Sequence, residues 1–213
     1  MIYLIFLAII FVISISLHEY AHAWMSNRLG DPTPRLQGRL TPNPLVHIDP
    51  IGFLLIFLIG FGRGRAVIVN PAYYKNTLRD ELMVALAWPA TNLLLVVFAS
   101  AIMLAYGKIF GAGALLAADN LVIAFWALFA QINVALAVFN LLPIYPLDGY
   151  RIVKYLYPRA GYWMEENRQL VTIVLLVCIA LPFTGAFISQ GIANVSDAVF
   201  GTIHGFMTFL FFL

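Results

Sequence analysis

The chain has 213 residues, of which 62% are hydrophobic and only 10% carry a charge. A soluble domain has about a quarter charged residues, so this chain has too few to cover a water-exposed surface, and we predict an integral membrane protein. The net charge of +2 is too small to indicate a nucleic-acid partner, and the single cysteine, Cys178, excludes an internal disulfide.

Apolar runs long enough to cross a bilayer, which takes about 20 helical residues, recur along the chain. We therefore predict an all-α polytopic membrane protein that forms one domain over residues 1–213, with about five transmembrane helices. The core spans are expected at about 1–24, 82–107 and 120–142, and two extra spans at about 169–189 and 198–213.

Two shorter elements are predicted between the first and second spans. Residues 51–62 are apolar but too short to cross, which favours a re-entrant segment. Residues 66–69 are a β-branched run bounded by Gly64 and Pro71, which predicts a small membrane-associated β element. A plain interfacial loop is an equally good interpretation of this short run.

Basic residues predict the orientation of the chain, because loops rich in Lys and Arg stay in the cytoplasm. Eleven of the twelve Lys and Arg residues fall in two loops, one after the first span and one after the third. Both loops lie on the same side if 51–62 does not cross. The sequence thus predicts an outside N-terminus, with residues 25–80 and 143–167 in the cytoplasm.

The first span ends in a pattern typical of a metal site, His18-Glu19-Tyr20-Ala21-His22. Residues four apart share one face of a helix, so both imidazoles can bind one metal ion, while Glu19 can take a proton from a water molecule. Zinc prefers nitrogen ligands and keeps one position open in catalytic sites. The alternative is a set of interfacial polar residues at the end of the helix. Ionisable groups at the end of an apolar span favour the metal site.

Asp148 is the strongest candidate for a third ligand. It follows the third span, after two prolines that free backbone from the helix and before Gly149, and it lies on the side where His18 and His22 emerge. The alternative role is a helix N-cap. His47, which leads into the re-entrant segment, is a weaker candidate for the metal or substrate region, and an interfacial histidine is the alternative.

The chain resembles a known family at these motifs. HEYAH at the end of a membrane helix and NLLPIYPLDG on a later one are similar to the site-2 protease family of intramembrane zinc metalloproteases, and the resemblance extends to HIDPIG and AWPATN. It is greatest to the short prokaryotic branch without PDZ or CBS domains. By motif, His18, His22 and Asp148 resemble the zinc ligands and Glu19 resembles the catalytic glutamate. The family often has Gly where this chain has Trp88.

Two asparagines also match positions where the family tends to carry Asn. A side-chain amide at Asn140 can donate to the oxyanion of a tetrahedral intermediate, and Asn92 is a candidate for substrate binding. The alternative for both is a hydrogen bond between helices, which small polar residues often provide in membrane bundles. For Asn133, seven residues before Asn140, that packing role is the favoured interpretation.

The motifs therefore predict a Zn²⁺-dependent metalloprotease with its site facing the cytoplasm, and the resemblance implies a prokaryotic cell membrane. It would cleave a transmembrane protein or peptide substrate within or near its membrane segment, as in regulated intramembrane proteolysis. The lipid bilayer is its other partner, no nucleic acid is expected, and no oligomeric state is indicated. The alternative function is a metal-binding membrane carrier or a proteolytically silent relative, which would use the histidines without Glu19. A serine elbow G-x-S-x-G is absent.

Overall fold

The computed structural model describes residues 1–59, 64–111, 113–117 and 119–212. Within them the regular structure is helical, which confirms the all-α prediction. In chain order the α-helices are α1 (Ile2–Arg28), α2 (Thr33–Leu36), α3 (Pro44–His47), α4 (Pro50–Ile59), α5 (Thr77–Phe110), α6 (Gly113–Leu116), α7 (Leu121–Asn140), α8 (Gly149–Leu156), α9 (Pro158–Glu166), α10 (Arg168–Ala180) and α11 (Pro182–Phe212). A 3₁₀ turn covers Pro71–Tyr73.

Among the described residues, three helices are long and apolar enough to cross a membrane: α1, α5 and α7. They correspond to the predicted core spans 1–24, 82–107 and 120–142. A fourth crossing is possible if α10 and α11, which meet at a bend of 89°, form one broken span. The described residues therefore contain three or four candidate spans, fewer than the five predicted.

A proline explains the difference at the C-terminal end. Leu181 is extended, as expected for a residue before proline, and α10 ends after 13 residues. That length is too short to cross a bilayer. The next helix, α11, then runs for 31 residues through the predicted boundary between 189 and 198. The expected spans at 169–189 and 198–213 are thus divided at Pro182 instead.

The prediction of a β element at 66–69 was wrong. No strand is assigned among the described residues, and the one isolated bridge pairs Ile48 with Gly64. The segment instead bonds to side chains: Val67 N–H donates to Glu19, and Ile68 exchanges two hydrogen bonds with Gln37. β-Branched residues favour an extended backbone, but a strand also needs a neighbouring strand, and these side chains take its place.

The short helix α4 occupies most of the predicted re-entrant segment. Its ten residues span about 15 Å, half the thickness of a bilayer core, so it is too short to cross. Residues 60–62 of that prediction lie outside the described residues.

The core forms where α5 packs against α7 and α1. Its fully buried members are Ile10, Val96, Ala99, Phe129, Ala130 and Val134. Residues of α11 cover one side of this cluster. Small residues such as Ala99 and Ala130 let the helix backbones approach closely. This packing brings the end of α1, the start of α5 and the segment after α7 to one end of the bundle.

Candidate active site

The two histidines of α1 face α5 near its N-terminal end. The Nδ1 atom of His22 lies 3.0 Å from the carbonyl oxygen of Val84. Because a carbonyl only accepts, Nδ1 carries a proton, and Nε2 is the ring nitrogen that faces the site. Histidines that bind metals are usually held in this way, with the second ring nitrogen donating to a carbonyl or carboxylate. The His18 ring lies beside it, with 4.8 Å between the two ring centroids.

The carboxylate of Asp148 meets His22 from the other end of the sequence. Its Oδ2 atom lies 3.2 Å from His22 Nε2, across 126 positions of the chain. Asp148 occupies the N-cap position of α8, but its side chain makes no capping hydrogen bond. Gly149 permits this turn, because a Cβ there would lie 2.3 Å from the carbonyl oxygen of Leu142. The alternative role as an N-cap is therefore not what this structure shows.

The environment keeps the Asp148 carboxyl ionised. Burial by itself raises its pKa, but the charge of His22 and the hydrogen bond to it act in the opposite direction, and together with His18 and Arg151 they lower the pKa to about 2. At neutral pH the side chain is therefore an anion and is ready to bind a cation.

The geometry of the three side chains fits a metal ion. One ligand atom each from His18, His22 and Asp148 lies within 4.8 Å of the others. Zinc bonds of about 2.0–2.2 Å at tetrahedral angles place neighbouring ligand atoms about 3.3–3.6 Å apart, close to the observed 3.2 Å between His22 and Asp148. Two nitrogens and one oxygen are also a donor set of catalytic zinc sites, which leave the fourth position open.

Glu19 lies beside this cluster and is fixed at one oxygen. Its Oε2 atom accepts a hydrogen bond of 2.8 Å from the Val67 backbone N–H. Its Oε1 atom lies 3.7 Å from His18 Nε2. Glu19 is buried, with 6% of the residue exposed. One oxygen is thus anchored to the extended segment, while the other is directed towards the ligand atoms.

The buried cation Arg39 holds the backbone segments beside Glu19. Arg39 donates from Nη1 to the carbonyl oxygen of Val46 and, at 3.3 Å, to that of Arg65. Its positive charge attracts the carboxylate of Glu19. Sequence reasoning missed Arg39 and the backbone groups of Val67 and Val84. Backbone donors and acceptors have no sequence signal, and Arg39 belonged to a run of loop arginines predicted only to set orientation.

His47 is fully buried, in contrast to an interfacial histidine exposed to water. Its Nε2 atom donates to the Thr41 carbonyl oxygen at 2.7 Å, which leaves Nδ1 as a buried acceptor with no partner among the described residues. Burial lowers its pKa, so the ring is neutral at neutral pH. His47 is not one of the three clustered ligand residues.

The asparagines make hydrogen bonds to helix backbone. Asn92 is fully buried and donates from Nδ2 to the carbonyl oxygen of Asn133 at 3.2 Å, so it joins α5 to α7 as the packing alternative predicts. Asn140 donates to Leu136 of its own helix at 3.1 Å. An amide has two N–H donors, so each retains a donor for a second partner.

A pair of largely covered imidazoles, a carboxylate and a neighbouring buried glutamate at the end of apolar helices define a membrane-embedded metallopeptidase. Comparisons with known proteins agree. Residues 106–183, which include Asn140 and Asp148, match the model of Peptidase family M50. No solved structure matches the chain significantly.

Three relatives illustrate the sequence similarity. The protein named "Putative zinc metalloprotease YwhC" from Bacillus subtilis (strain 168) is 39% identical over 174 residues, which is 80% of this chain and 79% of that protein. Two proteins named "Putative zinc metalloprotease Rip2" are each 32% identical over 80% of this chain. One is from Mycolicibacterium smegmatis, with 66% of its length covered, and one from Mycobacterium tuberculosis (strain H37Rv), with 65% covered. The chain belongs to the site-2 protease family and is a zinc metallopeptidase of that type.

Proposed function

We propose that this membrane metallopeptidase hydrolyses a peptide bond within or beside the transmembrane segment of a membrane-protein substrate, as in regulated intramembrane proteolysis. The observation that carries the proposal is the contact of 3.2 Å between His22 and Asp148. It brings the C-terminal part of α1 and the segment after α7, two helices of membrane length, together at one candidate metal-binding cluster. A site built on such helices can receive a substrate that is itself in the membrane.

In this proposal His18, His22 and Asp148 hold one Zn²⁺ ion. When bound, zinc would lower the pKa of a water molecule and polarise the scissile carbonyl. Glu19 then accepts the proton of the attacking water and passes it to the leaving amine. The hydrogen bond from Val67 supports this role, because it holds one carboxylate oxygen and leaves the other facing the site.

Substrate contacts are proposed for Asn140, Asn92 and His47. Asn140 lies at the end of α7, directly before the segment that carries Asp148, and its second amide proton can stabilise the oxyanion. Loss of one such donor typically lowers kcat by about 10²–10³-fold. Asn92 and His47 are fully buried and each has a side-chain acceptor atom without a partner among the described residues. A locally unwound substrate backbone would offer N–H donors to these acceptors once the side chains that now cover them move aside.

The test is co-expression with candidate single-span membrane proteins, comparing wild type with Glu19→Gln. The exposed Glu166 gives a matched control, Glu166→Gln. We expect wild type and Glu166→Gln to release a substrate fragment and Glu19→Gln to release none. All three purified proteins should carry about one zinc ion per chain, since one ligand cluster supports one site.

The other results would contradict the proposal. A fragment released by Glu19→Gln would show that Glu19 is not the base. Zinc bound by a wild type that cleaves no membrane substrate would favour a metal carrier or a silent relative. Full activity after complete removal of metal would exclude the zinc mechanism.

A further inference from the structure

Helix α5 contacts both histidines, His18 and His22. Val84 and Trp88 are four residues apart on α5 and therefore share one face. Val84 offers its carbonyl oxygen to His22 at 3.0 Å. Trp88 lies against His18, with 4.3 Å between ring centroids and 58° between ring planes. One face of one helix thus contacts both imidazoles.

The two histidines are nevertheless held differently. His22 has a hydrogen bond at its second nitrogen, whereas the Nδ1 atom of His18 is buried and makes no hydrogen bond among the described residues. Trp88 is fully buried at 0% exposure, and its indole N–H also makes no hydrogen bond in this part of the chain. The contact between them is therefore made by the rings, not by a polar pair.

We propose that Trp88 is a positioning residue that holds His18 in its metal-binding orientation by ring contact. An imidazole without a hydrogen bond at its second nitrogen is free to rotate unless packing prevents it. A large aromatic side chain with no exposed surface can prevent it, because close-packed interiors leave no room for another rotamer. Trp88 thereby does for His18 what the Val84 carbonyl does for His22. This inference rests on the proposed zinc site.

Zinc release from the purified protein in detergent to an excess of chelator tests the inference. We expect Trp88→Ala and Trp88→Leu to release zinc about 10–100 times faster than wild type, the usual effect of losing a group that orients a metal ligand. Trp88→Phe keeps an aromatic ring and should release zinc at nearly the wild-type rate. Trp88→Leu also fills much of the space, so it remains informative if Trp88→Ala does not fold.

Leu104→Ala is the matched control for lost packing. Leu104 is buried at 2% exposure on the same helix, about 24 Å further along its axis. It should release zinc as wild type does. The visible absorption of the Co²⁺-substituted proteins gives a second measurement: the bands should change in Trp88→Leu and stay unchanged in Trp88→Phe and Leu104→Ala.

Two results would overturn the inference: zinc release from Trp88→Leu at the wild-type rate with unchanged Co²⁺ bands, or an equal acceleration in Leu104→Ala. Either result would refute the role of Trp88 but would not contradict zinc binding by the wild type. By contrast, a wild type that binds neither zinc nor Co²⁺ would refute the proposed function itself.

Discussion

Asp148 is the ligand residue that comes from a distant part of the chain, 126 positions from His22. His18, Glu19 and His22 are neighbours on α1 and would be near one another in any helix. Asp148 reaches them only through the packing of α1 against α5 and α7. Its carboxylate is the one anion among the three clustered ligand residues, so it neutralises part of the charge of a bound cation.

We predict that Asp148→Asn lowers zinc affinity and activity together. The amide keeps the shape but removes the negative charge and one strong acceptor oxygen, and loss of a zinc ligand should reduce affinity by at least the 10–100-fold seen when an outer-shell partner is lost. Metal content after dialysis and cleavage of a co-expressed substrate measure the two effects.

Asp49→Asn is the control for this prediction. Asp49 accepts a hydrogen bond from the Ile51 N–H at the start of α4, and it lies outside the ligand cluster. Zinc should stay bound in that variant. A metal-bound structure of the wild type in which another residue took the place of Asp148 would show that the third ligand was wrongly chosen.

At this scale the sequence predicted the side chains that come together but not the groups that orient them. The four-residue spacing of His18 and His22 is local, and the Pro-rich segment before Asp148 indicated a turn at the correct end of the bundle. Val84 and Val67 act through their backbone atoms, which are common to all residues. Their roles depend on tertiary packing, so no residue type could indicate them.

The extended segment between Gly64 and Asn70 is the element with the most direct effect on Glu19. It is held at intervals by side chains of the first helix and the following loop. Val67 N–H donates to Glu19 at 2.8 Å and Asn70 N–H to Asp31 at 2.8 Å. Asp31 is fully buried, and hydrogen bonds from Thr33, Asn70 and Ser26 outweigh the effect of burial and lower its pKa, so it stays ionised as an anchor.

We predict that Val67→Pro lowers cleavage by up to about 100-fold while zinc stays bound, because proline has no N–H to hold Glu19 and a shift of about 1 Å in a catalytic group can cost that much. Val67→Ala keeps the backbone N–H and should cleave nearly as well as wild type. Fragment yield and zinc content of the two variants measure the effect. Equal activity in both variants would mean that the hydrogen bond does not position Glu19.

Secondary structure was predictable where a pattern is local and continuous. The apolar runs predicted α1, α5 and α7, since a helix satisfies its own backbone within a membrane. The prediction of a strand at 66–69 was wrong because a strand needs a partner, and the partner groups here are side chains. The break at Pro182 also changed the C-terminal helices, because proline cannot continue the hydrogen bonds of a helix.

On the scale of the molecule, charged groups collect at the end of the bundle that carries the site. Lys154 is buried and lies 2.8 Å from both Glu81 of α5 and Glu165 of α9. This cluster fastens α8 and α9 to the start of α5. Removing one member of a buried ion pair typically costs about 3–5 kcal/mol, so the cluster holds α8, which directly follows Asp148, against the start of α5.

We predict that this end of the bundle faces the cytoplasm, because eleven of twelve Lys and Arg residues then lie inside. Single cysteines at three exposed positions, introduced into a Cys178→Ala background, test the orientation: Lys75 before α5, Arg159 in α9 and Lys108 near the opposite end of α5. Because α1, α5 and α7 cross in turn, the first two positions share a side whether α10 and α11 form one span or none. An impermeant thiol reagent should label only the Lys108→Cys protein in intact cells and all three after permeabilisation.

Labelling of Lys75→Cys and Arg159→Cys from outside, with Lys108→Cys protected, would place the site on the outer face and reverse the orientation.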